Sequence, residues 1–364
     1  MTAEELLFGD DTKAAADCVI YESLKMRVAA EVRGDLKRYV PSTIALPEGF
    51  AAADLAALTV WFLISEGHRA VAAQFNGRME GVEIGMTMGV PMPFFNDTQV
   101  KASFLNIARR AWSFYCNEGL LDSALPIEKA RRVLEKHPAL LSAIPDYEVR
   151  DWIRCEGEAS NWLVLHSPAV GIGPFANVDI GAGTTHTSLF RIFGKLQTPK
   201  RSLAPFGAAA VPIGMDAVDR AIAECEGLNS DCLTLRGSEQ SILQARTKVR
   251  EALLPVCGQI YDSYWKAWNE VLSKLSGNPL ELIAWRQHKL IVIGGGSLLP
   301  PLIDTFRAHA DQREPLSVLR LEQPRDLFRG DRKKIGNEEL PFVGVAYGLS
   351  NIESHLPNPY CRDS

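Results

Sequence analysis

An acid followed by a run of small residues, Asp179-Ile180-Gly181-Ala182-Gly183-Thr184, is the part of this chain best suited to chemistry. Small residues let main-chain N–H groups approach a ligand closely and let the backbone take positive φ. Successive N–H groups in such a turn make a concave anion site. A carboxylate just ahead of it suits a hydrated Mg2+ carried by that anion, because Mg2+ prefers oxygen ligands and keeps waters. A second loop, Gly294-Gly295-Gly296-Ser297, follows a continuous apolar run. If that run is a strand and a helix follows, the loop stands at a helix N-terminus, where free N–H groups and the macrodipole favour anions. It is not a Walker loop, because no Lys-Ser or Lys-Thr follows, and it is not a dinucleotide fingerprint. The plainer reading of both loops is a bend that needs glycine.

The elements around these loops follow from pattern. Val178 and Ile180, the small-residue turn and the alternating β-branched run 184–193 predict strand, turn, strand. Residues 289–296, KLIVIGGG, predict a buried strand, with a helix over 297–310. Upstream, residues 1–40 and 51–64 read as helical, 81–91 as strand and 126–137 as an exposed helix. Asn96 or Asp97 is the expected N-cap of a helix whose body is 99–112. Residues 152–170 read as a buried helix. Residues 203–213 read as an Ala-rich stretch that bends at Pro205 and Pro212, with a helix opening at Gly214-Met215-Asp216. A long helix over 238–276 is expected to break near Pro255 and stop at Gly277, and a small-residue helix over 341–352 closes the chain. Strands alternating with helices predict the α/β class.

Composition sets the broader frame. With 364 residues, 46% hydrophobic and 23% charged, the chain has the profile of a soluble globular protein of two domains or lobes. The net charge of −5 gives no basic footprint for nucleic acid, and no apolar run is long enough to span a bilayer. Seven scattered cysteines with no C-x-x-C pair point away from zinc or redox chemistry and toward a reducing cytoplasm.

Taken together, the two loops resemble the DnaK-type (seventy-kilodalton) heat-shock chaperones of the actin-like ATPase superfamily. Asp179-Ile180-Gly181-Ala182-Gly183-Thr184 is similar to that family's second phosphate motif, and Gly294-Gly295-Gly296-Ser297 with Pro301 to its adenosine motif. VPMPFFNDTQ from Val90, Gly344-Val345-Ala346-Tyr347-Gly348, LFGDDTKAA from Leu7 and YESLKMR from Tyr21 keep the family's order across residues 7–350. The resemblance implies a two-lobed actin-like fold with ribonuclease H-like halves, holding ATP or ADP and Mg2+ in its cleft. Lobe I would be 1–173, lobe II 174–342 with a helical insertion near 217–283, and 343–364 a closing helix and tail. Asp179 would hold Mg2+ through water and act in catalysis. Gly181, Ala182, Gly183 and Thr184 would hold phosphates, Gly214 would lie near the ribose and phosphates, and Gly295, Gly296 and Ser297 would border the nucleoside. Lys25 matches the lysine that orients the attacking water, and Glu156 matches a catalytic glutamate, with Glu158 as its substitute. For Lys25 a plain solvated helix position stands as the alternative.

The departures from the family bear on activity. Its first phosphate hairpin, D-x-G-T-x-x-S, has no counterpart in this sequence, so lobe I is expected to be incomplete at its N-terminus unless that hairpin lies upstream or comes from another chain. Charge-assisted hydrogen bonds of the kind it supplies contribute about 1.5–3 kcal/mol each. His186 stands where the family has aspartate, and Leu299 where it has an arginine against the adenine; Gln244, Arg246 and Lys248 are candidates for the adenine-facing helix. As a simple hairpin side chain, His186 needs no ligand. No peptide-binding domain is expected after the closing helix. These features predict a DnaK-like ATP-binding module, with or without slow hydrolysis, that acts with a separate partner protein in a chaperone-like or regulatory role. The alternative is a degenerate, non-hydrolysing scaffold or assembly subunit. A sugar or acetate kinase of the superfamily is a weaker alternative.

Overall fold

The computed structural model describes residues 5–8, 24–35, 45–82, 84–137, 152–194, 201–226, 247–298, 303–306, 318–319, 321, 346 and 349. It is a mixed α/β chain in two compact units. One comprises Met1–Val90 and Asp97–Arg154, the other Pro91–Asn96 and Cys155–Ser364.

In chain order the first unit holds β1 (Glu5–Leu7), α1 (Leu24–Arg33), α2 (Ala52–Gln74) and β2 (Met88–Val90). After the short α3 (Met92–Phe95), which belongs to the second unit, come α4 (Thr98–Glu118), β3 (Ala124–Pro126), α5 (Ile127–Lys136) and β4 (Ile153–Cys155). Helices α1, α2 and α4 pack together around Leu58, Trp61, Phe104, Ile107 and Phe114, all buried. Trp61 satisfies its indole N–H on the carbonyl of Gly119 at 2.8 Å, so a large ring is buried without an orphaned donor. Asp97 is the N-cap of α4, accepting the N–H groups of Gln99 and Val100 at 3.1 Å, and it also pairs with Arg33 at 3.2 Å.

Two expectations for this unit are corrected. Glu5–Leu7 is a strand and not helix: it pairs antiparallel with β3, with Leu6 opposite Leu125 and both buried. Among the described residues of 81–91, only Met88–Val90 is strand. Most of the stretch over 1–40 that reads as helical lies outside the described residues, apart from residues 5–8 and the segment that holds α1.

The second unit is organised by one sheet. Its strands are β5 (Gly173–Ile180), β6 (Thr185–Phe193), β7 (Ser202–Val211) and β8 (Lys289–Gly294), in spatial order β7-β6-β5-β8. The first three form an antiparallel meander, whereas β8 lies parallel to β5. A parallel bridge from Leu290 to Val318 continues the sheet beyond β8. Side chains alternate across it. Ala176, Val178, Ile180, Leu290 and Val292 face α7 (Met215–Glu226) and α8 (Thr247–Leu275) in one core. Phe175, Phe190, Ile192, Ile291 and Ile293 join Val164 and Leu165 of α6 (Glu156–His166) in a second core. Helix α9 (Pro279–Arg286) precedes β8 and buries Trp285.

Three boundaries differ from expectation, each for a physical reason. The segment read as one helix over 152–170 begins as strand β4 and becomes helical at Glu156. Residues 202–211 are strand despite Pro205, because β7 is an edge strand and a bulge at Phe206 absorbs the irregularity. Helix α8 runs through Pro255 without a break. Leu253, Cys257, Ile260 and Tyr264 flank that proline and are buried, so packing offsets the missing hydrogen bond. Residues 227–246, 299–302 and most of 307–364 lie outside the described residues, and with them much of the expected helix over 297–310 and the closing helix.

Candidate functional site

Parallel pairing brings the two small-residue loops together. In the β5/β8 ladder Asp179 lies beside Ile293 and Ile180 beside Gly294, so both loops leave the same end of the sheet side by side. Asp179 is on the α6 face and is 6% exposed. Directly opposite it on β6 is His186.

The turn between β5 and β6 is closed by the N–H of Gly181 donating to the carbonyl of Thr184 at 2.9 Å. Gly181 does not take a positive φ, which corrects the expectation that left-handed glycines shape an anion nest here; positive φ falls on Gly294, at 76°. The turn is instead polarised from behind. The carbonyls of Gly181 and Ala182 accept the N–H groups of Met215 and Asp216, in the first turn of α7, at 2.9 and 2.8 Å. In a trans peptide the N–H points opposite to the carbonyl. The N–H groups of Ala182 and Gly183 therefore point away from α7, with its positive end behind them, and each is strengthened as a donor by the bond its own peptide carbonyl accepts.

Gly214 makes this junction possible. A Cβ there would lie 2.4 Å from the Gly181 carbonyl oxygen and 2.5 Å from that of Ala182. At 294 a Cβ would lie 2.4 Å from the Ile180 carbonyl oxygen and 2.7 Å from Asp179 Oδ1, and at 296 it would lie 2.5 Å from Ile180 Cγ2. These glycines are required by the approach of one loop to the other, whatever ligand they meet. Gly295–Leu298 is a short 3-10 helix, and the Ser297 hydroxyl donates to the carbonyl of Gly294 at 2.7 Å.

Beside the turn the structure groups His186, Thr184 and Glu156, which the sequence named separately and did not connect. His186, almost wholly buried, has Nε2 3.0 Å from Thr184 Oγ1 and 3.9 Å from Glu156 Oε2. Counting outward from a two-residue turn at Ala182-Gly183 would have placed His186 opposite Asp179. The family resemblance put Glu156 in the same site, but its approach to His186 depends on where α6 crosses the sheet. Glu156 opens α6, and Cys155 at its N-cap is buried, with burial pushing its thiol up to about 12 against the opposing pull of the Glu158 and Gly157 N–H groups.

Asp179, Gly181, Ala182, Gly183, Thr184, Gly214, Gly295, Gly296, Ser297 and Glu156 all belong to the second unit. Lys25 belongs to the first, exposed in the first turn of α1. Leu299, Pro301, Gln244 and Arg246, and the side chain of Lys248, lie outside the described residues. A carboxylate beside a turn with outward N–H groups fits a magnesium-phosphate ligand in donor chemistry: oxygen for the cation, N–H for the anion. Among the described residues no group of three or more His, Cys, Asp or Glu side chains is arranged to hold a bare metal ion. No helix among them is long and apolar enough to cross a membrane.

No protein-family model matches the chain, and no curated protein matches it. Among solved structures it is similar to a chain of a "PilM-PilN type IV pilus biogenesis complex", with 18% identity and a TM-score of 0.32 over 62% of this chain. The chain spans 58% of the length of that protein. A likeness of that size does not define the fold, which rests on the strand order and register above.

Proposed function

We propose that the second unit binds an adenine nucleotide, ATP or ADP, with Mg2+, as an actin-like, DnaK-related module. The observation that carries this is the side-by-side exit of the Asp179–Thr184 turn and the Gly294–Ser297 turn from parallel strands β5 and β8, with Gly214 locked against the first. Sheets of this kind receive ligands outside the carboxyl ends of their parallel strands. The meander order β7-β6-β5 followed by a parallel β8 supports a ribonuclease H-like half.

In this reading Ala182, Gly183 and Thr184 hold phosphate oxygens and Asp179 holds the cation through water. Gly214 keeps the turn and α7 in register, and Gly295, Gly296 and Ser297 border the nucleoside. When bound, Mg2+ would neutralise phosphate charge. Lys25 and Glu156 are the catalytic candidates that the motif resemblance supplies. The larger organisation proposed is lobe I over 1–173, lobe II over 174–342 and a closing helix and tail over 343–364, acting with a partner protein in the cytoplasm.

Titration calorimetry with Mg-ADP and Mg-ATP tests the reading. Binding is expected, with an affinity that Asp179→Ala lowers at least tenfold; absence of heat and of any thermal shift would end it.

A second reading, binding without turnover, is favoured by His186. An imidazole hydrogen-bonded to Thr184 occupies the position beside Asp179, and the Gly181 N–H is consumed within the turn. A steady phosphate release abolished by Lys25→Ala would exclude it.

A further inference from the structure

The contacts of His186 bear on which proton it carries. The ring is buried between the sheet and the N-terminus of α6. Its Nε2 is 3.0 Å from Thr184 Oγ1 and 3.9 Å from Glu156 Oε2. Its Nδ1 lies 3.6 Å from where a Cβ on Gly157 would sit, so this edge of the ring faces the first turn of α6. Glu156 and the first turn of α6 act on the ring in the same sense, while Asp179 lies opposite it on β5. The Glu156 carboxylate favours a proton on Nε2. The positive end of α6 and its first-turn N–H groups disfavour a proton on Nδ1.

We propose that His186 carries its proton on Nε2 and donates it to Thr184 Oγ1, which turns the Thr184 hydroxyl proton away from the imidazole and offers it to an oxyanion held at the Ala182-Gly183 turn. A hydroxyl that accepts one hydrogen bond keeps its own donor. The alternative tautomer would take that proton from Thr184 and leave the turn with one donor fewer. His186 is thus a positioning residue that acts through Thr184. The ligand it serves is a phosphoryl group, and this part of the inference rests on the nucleotide reading above.

Two measurements test it, and the first needs no ligand. In the ligand-free full chain with labelled histidine, long-range nitrogen–proton correlations are expected to show His186 protonated at Nε2. A proton at Nδ1 alone overturns the proposal whether or not nucleotide binds. The second is an ADP titration of Thr184→Val, His186→Ala, the double variant and His186→Gln, each checked for a native thermal transition. Each single loss should weaken ADP by about tenfold, the size of one hydrogen bond to a charged group. The double variant should be no worse than about twice either single, because both remove the same donor. Gln, whose amide donates at nearly the same reach, should restore most of the affinity. Losses that multiply to about a hundredfold in the double variant, or a Gln variant as weak as Ala, would overturn the relay. Should the native chain bind no ADP at all, the nucleotide reading fails and the tautomer measurement still decides the state of His186.

Discussion

The carbonyl oxygen of Gly181 accepts the backbone N–H of Met215 at 2.9 Å. This bond and its neighbour from Asp216 to Ala182 tie the end of a β-hairpin to the start of a helix that follows it in the chain. Two first-turn donors of α7 are thereby satisfied, and the hairpin turn is fixed without a positive φ at Gly181.

Gly214→Ala should break this junction. The added Cβ meets main-chain oxygen at 2.4 and 2.5 Å, so backbone must move. A cost of about 1–3 kcal/mol is expected from such overpacking, together with loss of ADP affinity. Urea unfolding and an ADP titration of the same variant read both. Gly277→Ala, with nothing within 4 Å of its Cβ, serves as the control and should stay within about 0.5 kcal/mol of the native chain.

His288 should make the second unit sensitive to acid. It is buried among Tyr264, Trp268 and Trp285, accepts the Tyr264 hydroxyl at Nε2 (3.0 Å) and donates from Nδ1 to the Trp285 carbonyl (2.6 Å). Burial, partly opposed by the Trp285 carbonyl, lowers its pKa to about 4. The unfolded chain takes up the proton near pH 6.5 and the folded chain does not, so stability is complete above pH 6.5 and falls as the pH drops toward 4. The loss amounts to about 3 kcal/mol, because each pH step between the two pKa values costs about 1.4 kcal/mol. Urea midpoints between pH 7 and 4.5 should fall more steeply in the native chain than in His288→Phe.

Arg201 should prove to be a cap. Its Nη1 donates to the carbonyls of Val170 (2.8 Å), Leu165 (3.2 Å) and Ser167 (3.3 Å), at and just beyond the end of α6. Arg201→Ala should cost about 1–2 kcal/mol, with Lys recovering part of it through its charge. Chemical denaturation of the three proteins gives the comparison.

Cys155 should resist thiol reagents while the chain is folded. With its pKa near 12, about one part in ten thousand is thiolate at pH 8, and the side chain is fully buried. Among the described cysteines Cys116 is exposed and should be labelled before Cys155 and Cys257. Peptide mapping after alkylation, with and without urea, should find Cys155 modified only on unfolding.

Local pattern makes some of this legible in advance. Strands β5, β6 and β8 and the helix at Met215 declare themselves through alternation, continuous apolar runs and small-residue stops. The Asp97 cap is legible because an Asn-Asp pair immediately precedes an amphipathic run. What the pattern does not carry is long-range. Nothing local says that Ile180 will lie against Gly294, and so the glycines at 294 and 296 read as space for a ligand when part of that space is filled by Ile180 itself. Pro205 and Pro255 read as breaks because proline rules are local. An edge position tolerates the first and packing of α8 on the sheet tolerates the second. His186 reads as inert because its two neighbours, Thr184 and Glu156, come from the turn and from a helix packed across the strand.

The pairing of β5 with β8 has a consequence for biosynthesis. The meander β5-β6-β7 is made of neighbouring segments, whereas the strand that completes it is translated more than a hundred residues after Asp179. A nascent chain stopped before Lys289 carries only the first of the two glycine turns, and in a three-stranded sheet the β5 border, along Phe175 to Ile180, would be open in addition to the β7 edge. Emergence of β8 from the ribosome both seals that border against self-association and brings the second turn alongside the first in a single late event.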